Sequence, residues 1–169
     1  MNARTLLAAA LATALLAACG QAQEAASETA AEKAIEASTG QKVDIDQKDG
    51  QRTVTMETEQ GTLTASAGEN VTLPADFPKD VQLPADAIVV SAMSMGPAMT
   101  VALKSKQALA ATYEAFRKAQ GEAGWKETMS MQSGDGAVLG FEKDGKLVMA
   151  HMASDEGGST VSITVQPKQ

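Results

Sequence analysis

The chain has 169 residues, of which 14 are basic and 21 acidic, for a formal charge of −7 at neutral pH. That balance, with no cluster of Lys and Arg, argues against nucleic acid as a partner and against charge-driven binding to anionic lipid. Hydrophobic residues make up 44% of the chain but aromatics only 3%, so Ala, Val, Leu and Met must fill a small core.

At the N-terminus, Arg4 as the lone positive charge, an apolar run from Leu6 to Leu16 and small residues before Cys19 have the three-part form of a secretory leader. The run is well short of the roughly 20 apolar residues needed to span a bilayer. Its end, Leu16-Ala17-Ala18-Cys19, is a lipobox without a mismatch and resembles the signal peptide of bacterial lipoproteins. The resemblance implies cleavage of residues 1–18, a diacylglycerol on the Cys19 sulfur and an acyl chain such as palmitate on its freed amine. Two or three chains, at about 0.8 kcal/mol per buried CH₂, anchor such a protein essentially permanently. Gly20 in place of Asp after the cysteine resembles the sorting pattern for the Gram-negative outer membrane, so the expected location is that membrane, facing the periplasm. Loss of Arg4 takes the charge to −8. Cys19 is the only cysteine, so its lipidation leaves no thiol for a disulfide, and stability must come from packing.

Residues 19–41 hold the lipidated cysteine and an Ala/Glu-rich tether, with a weak helical stripe of Ala31, Ala34 and Ile35 between Ser27 and Ala37. Residues 42–68 read as a β-meander: Val43 and Ile45, then Val54 and Met56, then Leu63 and Ala65 alternate with polar residues, with turns at Lys48-Asp49-Gly50 and Gly61. Its apolar face requires a cover, either the preceding helix or the domain C-terminal to it. Residues 69–86 form a proline-rich connector in which Leu-Pro-Ala-Asp occurs twice. Proline forbids a regular helix there and predicts an extended path. Phe77, Val81 and Leu83 are expected to lie on the domain and not in free solvent.

Residues 87–167 carry the clearest pattern. Two strands, Ala87 to Met95 and Met99 to Lys104, precede a helix that Ser105 would cap and that runs to about Gln120, with Leu109, Tyr113 and Phe116 on one face. Gly121 and Gly124 end it. Four strands come next: Trp125 to Met131, Ala137 to Glu142, Lys146 to Ser154 and Thr160 to Gln166. The expected fold class is α+β, a ββ-α-ββββ antiparallel sheet with one helix packed across a face. A helix followed by a meander in both halves, with Gly40 and Gly124 near the joints, is a weak hint of duplication. Phe77-Pro78-Lys79-Asp80-Val81, the helix around Tyr113 and Phe116, and Gly124-Trp125 resemble small bacterial lipoproteins with an uncharacterised C-terminal domain. That resemblance brings no catalytic residue.

Catalytic constellations are poorly represented. His151 is the only histidine and alternates in step with Leu147 and Met149, which predicts a partly buried structural role. No Gly-x-Ser-x-Gly elbow accompanies it, so no catalytic residues are assigned and the chain is expected not to be an enzyme. Asp44 to Gly50 imitates a calcium loop, but Lys48 holds a ligand position and no Glu closes it. Gly134-Asp135-Gly136 with Gly140 precedes strand, not the helix N-terminus that phosphate binding requires. Asn70-Val71-Thr72 reads as ordinary loop.

One constellation is chemically specific. Met93 with Met95, and Met129 with Met131, are each two apart on a strand, Trp125 is in step with the second pair, and Met149 precedes His151 by two. Period-two spacing puts each pair on one face. Thioether and imidazole suit Cu(I), and the set resembles periplasmic copper chaperones that use two Met, a His and a nearby Trp, although three residues and not two separate Trp125 from Met129. The competing expectation is that Met is flexible core filler between an Ala-rich helix and a sheet. The preferred reading is a non-enzymatic envelope lipoprotein without a cofactor beyond its lipid, binding an envelope partner through a sheet edge or the connector. The alternative is a soft-metal protein using Met93, Met95, Met129, Met131, Met149, His151 and Trp125.

Overall fold

The computed structural model describes residues 29–38, 40–59 and 61–168. The leader, Cys19 and the first part of the tether lie outside the described residues. The described chain is a mixed fold, mostly strand, built on an antiparallel sheet with two helices. It divides into two compact units, Met1–Ile45 and Asp46–Gln169.

In the first unit, helix α1 covers residues 29–38 and the chain then turns into strand β1, Val43–Lys48. The half-buried side of α1 is Ala31, Glu32, Ile35 and Glu36, while Ala34 is exposed. Glu32 and Glu36 are one helical turn apart, on one face, and amides two residues apart in a strand point the same way. The two periods match: Glu32 Oε1 accepts the Ile45 N–H at 2.9 Å and Glu36 Oε1 accepts that of Val43 at 3.4 Å. Val43 and Ile45 themselves are buried. The helix therefore takes hold through carboxylates that the apolar stripe did not suggest.

In the second unit the strands are β2 (Gln51–Thr58), β3 (Gly61–Gly68), β4 (Ile88–Met95), β5 (Ala98–Ser105), β6 (Lys126–Ser133), β7 (Gly136–Lys143), β8 (Lys146–Asp155) and β9 (Gly158–Pro167). They lie in the order β2-β3-β4-β5-β9-β8-β7-β6, each antiparallel to its neighbours. β3 pairs with β4, Leu63 opposite Met95 and Ala65 opposite Met93, so β2 and β3 extend the main sheet. Asp144 at φ 48° and Gly145 at φ 73° make the β7–β8 turn with both central residues left-handed, the twist that a two-residue hairpin requires.

Helix α2, Leu109–Glu122, packs across β6 to β9. Tyr113 and Phe116 enter the core, and Phe116 meets Phe141 edge-on at 6.1 Å between ring centroids. The helix begins later than the Ser105 cap predicts. Ala108 stands at the N-cap without a side-chain bond, because the Ser105 hydroxyl is buried and donates to both Asp86 carboxylate oxygens at 2.8 and 3.0 Å. Gly124, at φ 84°, ends the helix: its N–H reaches Gly121 O and that of Trp125 reaches Gln120 O, both at 3.0 Å.

The connector covers the part of the core that α2 leaves open. Val71, Phe77 and Val81 are buried in the same core cluster as Val101, Leu103 and Phe116, and half-buried Leu83 packs against that cluster. Its path is a run of turns and not the extended one expected. The carbonyls of Pro74, Pro78 and Pro84 accept from the amides of Phe77, Val81 and Ala87 at 3.0 to 3.1 Å, since proline loses its donor but keeps its acceptor. Fully buried Gln120 then clamps the connector to α2, its Nε2 donating to Gln82 O at 2.6 Å and its Oε1 accepting the Gln82 N–H at 3.3 Å.

Candidate functional site on the open sheet face

Residues alternate sides along each strand, and α2 with the connector occupies one side only. Val101, Leu103, Leu139, Phe141, Val148, Ala150, Val161 and Ile163 point into that core. Their neighbours in sequence make the opposite face, which among the described residues of the second unit no other helix or strand crosses. The pairing registers align it in rows. One row is Met129, Gly140, Met149, Thr164, Thr100, Met93, Ala65 and Val54, and the next is Met131, Val138, His151, Ser162, Ala102 and Ser91.

This face is apolar or hydroxylic at its centre and charged at its ends. At one end Lys104 Nζ lies 3.3 Å from Asp155, and at the other Glu142 takes Lys168 at 2.8 Å and Lys126 at 3.6 Å. The Glu142 carboxyl is held below its ordinary pKa chiefly by the Lys168 hydrogen bond, and that of Asp155 by the Glu156 N–H and then Lys104. An apolar centre inside a charged rim is the anatomy of a binding surface.

The soft-metal candidates fall into three places. Met129, Met131, Met149 and His151 share adjoining positions on β6 and β8, across β7. Met93 and Met95 lie on β4 of the same face, but β5 and β9 intervene, so Met93 is about 14 Å from the Met149 position at ~4.8 Å per strand. Trp125 is in the core on the other side, 4% exposed, donating from Nε1 to Asp80 O at 3.0 Å with Lys143 Nζ 5.8 Å from its ring centroid. The seven residues thus do not form one cluster.

Both expectations for these side chains are corrected by exposure. Met93, Met95, Met129 and Met131 are 40–56% exposed, and of the strand methionines only Met99 and Met152 are buried. His151 is exposed, not partly buried, with Val138 and Ser162 as its cross-strand partners. Alternation correctly groups it with Leu147 and Met149, yet their shared side is the one away from α2.

Gly140 is the residue that motif reading missed as part of this face. A Cβ added there would sit 3.0 Å from Met149 Sδ, 3.0 Å from Thr128 Oγ1 and 3.1 Å from Met129 Cβ. The glycine leaves room for the two methionines to meet over β7. A glycine inside the apolar strand Ala137 to Glu142 was the available signal for such a close approach.

Compared with protein-family models, curated proteins and solved structures, the chain has no match. Among the described residues no helix is long and apolar enough to cross a membrane.

Proposed function

We propose that this chain is a lipid-anchored lipoprotein of a bacterial envelope, cleaved before Cys19, attached to the outer membrane and facing the periplasm, with a binding or structural role and not a catalytic one. The observation that carries the reading is Leu16-Ala17-Ala18-Cys19 at the end of a short apolar run, where the only thiol of the chain meets the small residues that lipoprotein processing requires. The element order β4-β5-α2-β6-β7-β8-β9 supports reading residues 87–167 as the ββ-α-ββββ part of a binding domain, to which β2, β3 and the connector add.

Of the two docking elements expected, the sheet edge is the better supported. The connector spends its carbonyls on its own turns and on Gln120. β6 is the terminal strand of the sheet and carries exposed Met129 and Met131, so a partner strand can add beside it.

Mass spectrometry of the protein extracted from its native envelope will find an N-terminal acylated Cys19, and Cys19→Ala will move the protein from the membrane to the soluble fraction. A bare thiol or a retained leader overturns the anchor. A photo-crosslinker at Gln132 on β6 should trap an envelope protein that the same group at Glu114 on α2 does not; equal capture removes the edge from the proposal.

A further inference from the structure

The structure assigns a soft-cation site to the open face: we propose that the thioethers of Met129 and Met149 and the imidazole of His151 bind one Cu(I) or Ag(I) ion, with Met131 closing the set. The inference goes beyond the anchoring role and does not depend on it.

Three observations converge. Met149 Sδ, Thr128 Oγ1 and Met129 Cβ all lie within 3.1 Å of one point above Gly140, so side chains from β6 and β8, strands that are not neighbours, come together where β7 has no side chain of its own, with the Met129 thioether a short reach from its Cβ. His151 is two residues beyond Met149 on the same face, and Met131 two beyond Met129, with Val138 between them in register. Four flexible donors therefore surround one patch of sheet from opposite sides. Finally, Met129 and Met131 are 48% and 56% exposed, His151 is exposed and Met149 half-buried, and among the described residues no hydrogen bond or ion pair engages the His151 ring nitrogens. Apolar side chains this exposed add little to stability, and a thioether offers a lone pair that Leu or Val would not.

The donor chemistry selects the ion. Thioether sulfur is a soft ligand that favours Cu(I) over Zn(II) or calcium, and one imidazole is compatible with the same preference. Among the described residues no three His, Cys, Asp or Glu side chains converge to hold a harder cation. A monovalent ion bound by neutral ligands also brings no proton release from a thiol or carboxylate. Met93, Met95 and Trp125 play no part, being across two strands or on the other side of the sheet.

The test uses the full chain carrying Cys19→Ser, which removes a competing thiol, titrated without oxygen with Ag(I) and followed through the ¹³C-labelled methionine methyl groups. Saturation at one ion per chain is expected, with the methyls of Met129 and Met149 shifted and those of Met93 and Met95 unmoved. Met149→Leu and His151→Asn should each weaken binding by about tenfold or more, in line with the sensitivity of metal sites to their surroundings. Met93→Leu with Met95→Leu should leave affinity unchanged. Met→Leu conserves volume and His151 is exposed, so an unaltered thermal melt checks each variant's fold. Absence of saturable binding, equal shifts at all exposed methionines, or displacement of Ag(I) by equimolar Zn(II) overturns the site.

Discussion

Met152 and Met131 show how far a residue's environment outweighs its type. Met152 pairs with Ala137 on the core side and is 4% exposed, whereas Met131 pairs with Val138 on the open side and is 56% exposed. Truncating the first removes transfer energy and leaves a cavity; truncating the second leaves neither. Met152→Ala should cost about 2–5 kcal/mol, and Met131→Ala should stay within about 0.5 kcal/mol. Urea unfolding of the two variants measures both. If Met131 were core filler, as its period-two partnership with Met129 equally allowed, the two losses would be alike.

At the scale of elements, α2 is held by its buried face and not by its ends. Tyr113, Phe116 and Gln120 anchor it, yet no acidic residue sits in its first turn, no basic residue in its last, and Ala108 provides no cap. Ala108 already has the extended backbone of an N-cap, at φ −59° and ψ 150°, so a hydroxyl there can reach the first free amides without rearrangement. Ala108→Ser should raise stability by about 1 kcal/mol, read as a higher urea midpoint. Ser105 cannot supply this cap, being committed to Asp86, while its oxygen accepts the Gln107 N–H at 3.1 Å. The connector follows the same logic: single polar clamps, Gln120 on Gln82 and Lys143 on Asp80 at 2.7 Å, hold a segment whose prolines allow no ladder.

Across the whole molecule four polar contacts depend on ionised carboxylates. Asp80 is held below its ordinary pKa by the Lys143 hydrogen bond, Asp86 by that of the Ser105 hydroxyl, Glu142 by Lys168, and Asp155 by the Glu156 N–H. A carboxyl whose folded pKa is depressed stabilises the fold above its unfolded value, about pH 4, and loses that contribution as pH falls through the folded value. The urea midpoint should therefore fall progressively on acidification below about pH 4 to 5. Asp80→Asn with Asp86→Asn should lower the midpoint at pH 7 and flatten the acid fall. An acid slope unchanged in that variant would show that these two groups do not contribute.

Local information was sufficient for the mixed helix-and-strand composition and for most strand and helix positions among the described residues, because each rests on periods of two or 3.6 and on turn residues such as Asp144-Gly145 that act within a few positions. Alternation also put Met149 with His151 on one face and Met129 with Met131 on another strand's face. Which strands become neighbours is a long-range matter, and only the tertiary structure decided it: β3 beside β4 merges the meander with the main sheet, and β5 with β9 between β4 and β8 separates Met93 from Met149. The same pairing decided which side α2 and the connector cover, sending Trp125 into the core and leaving Met93, Met95, Met129 and Met131 in solvent. A side chain's face is written in its neighbours along the chain, but what covers that face depends on elements tens of residues away.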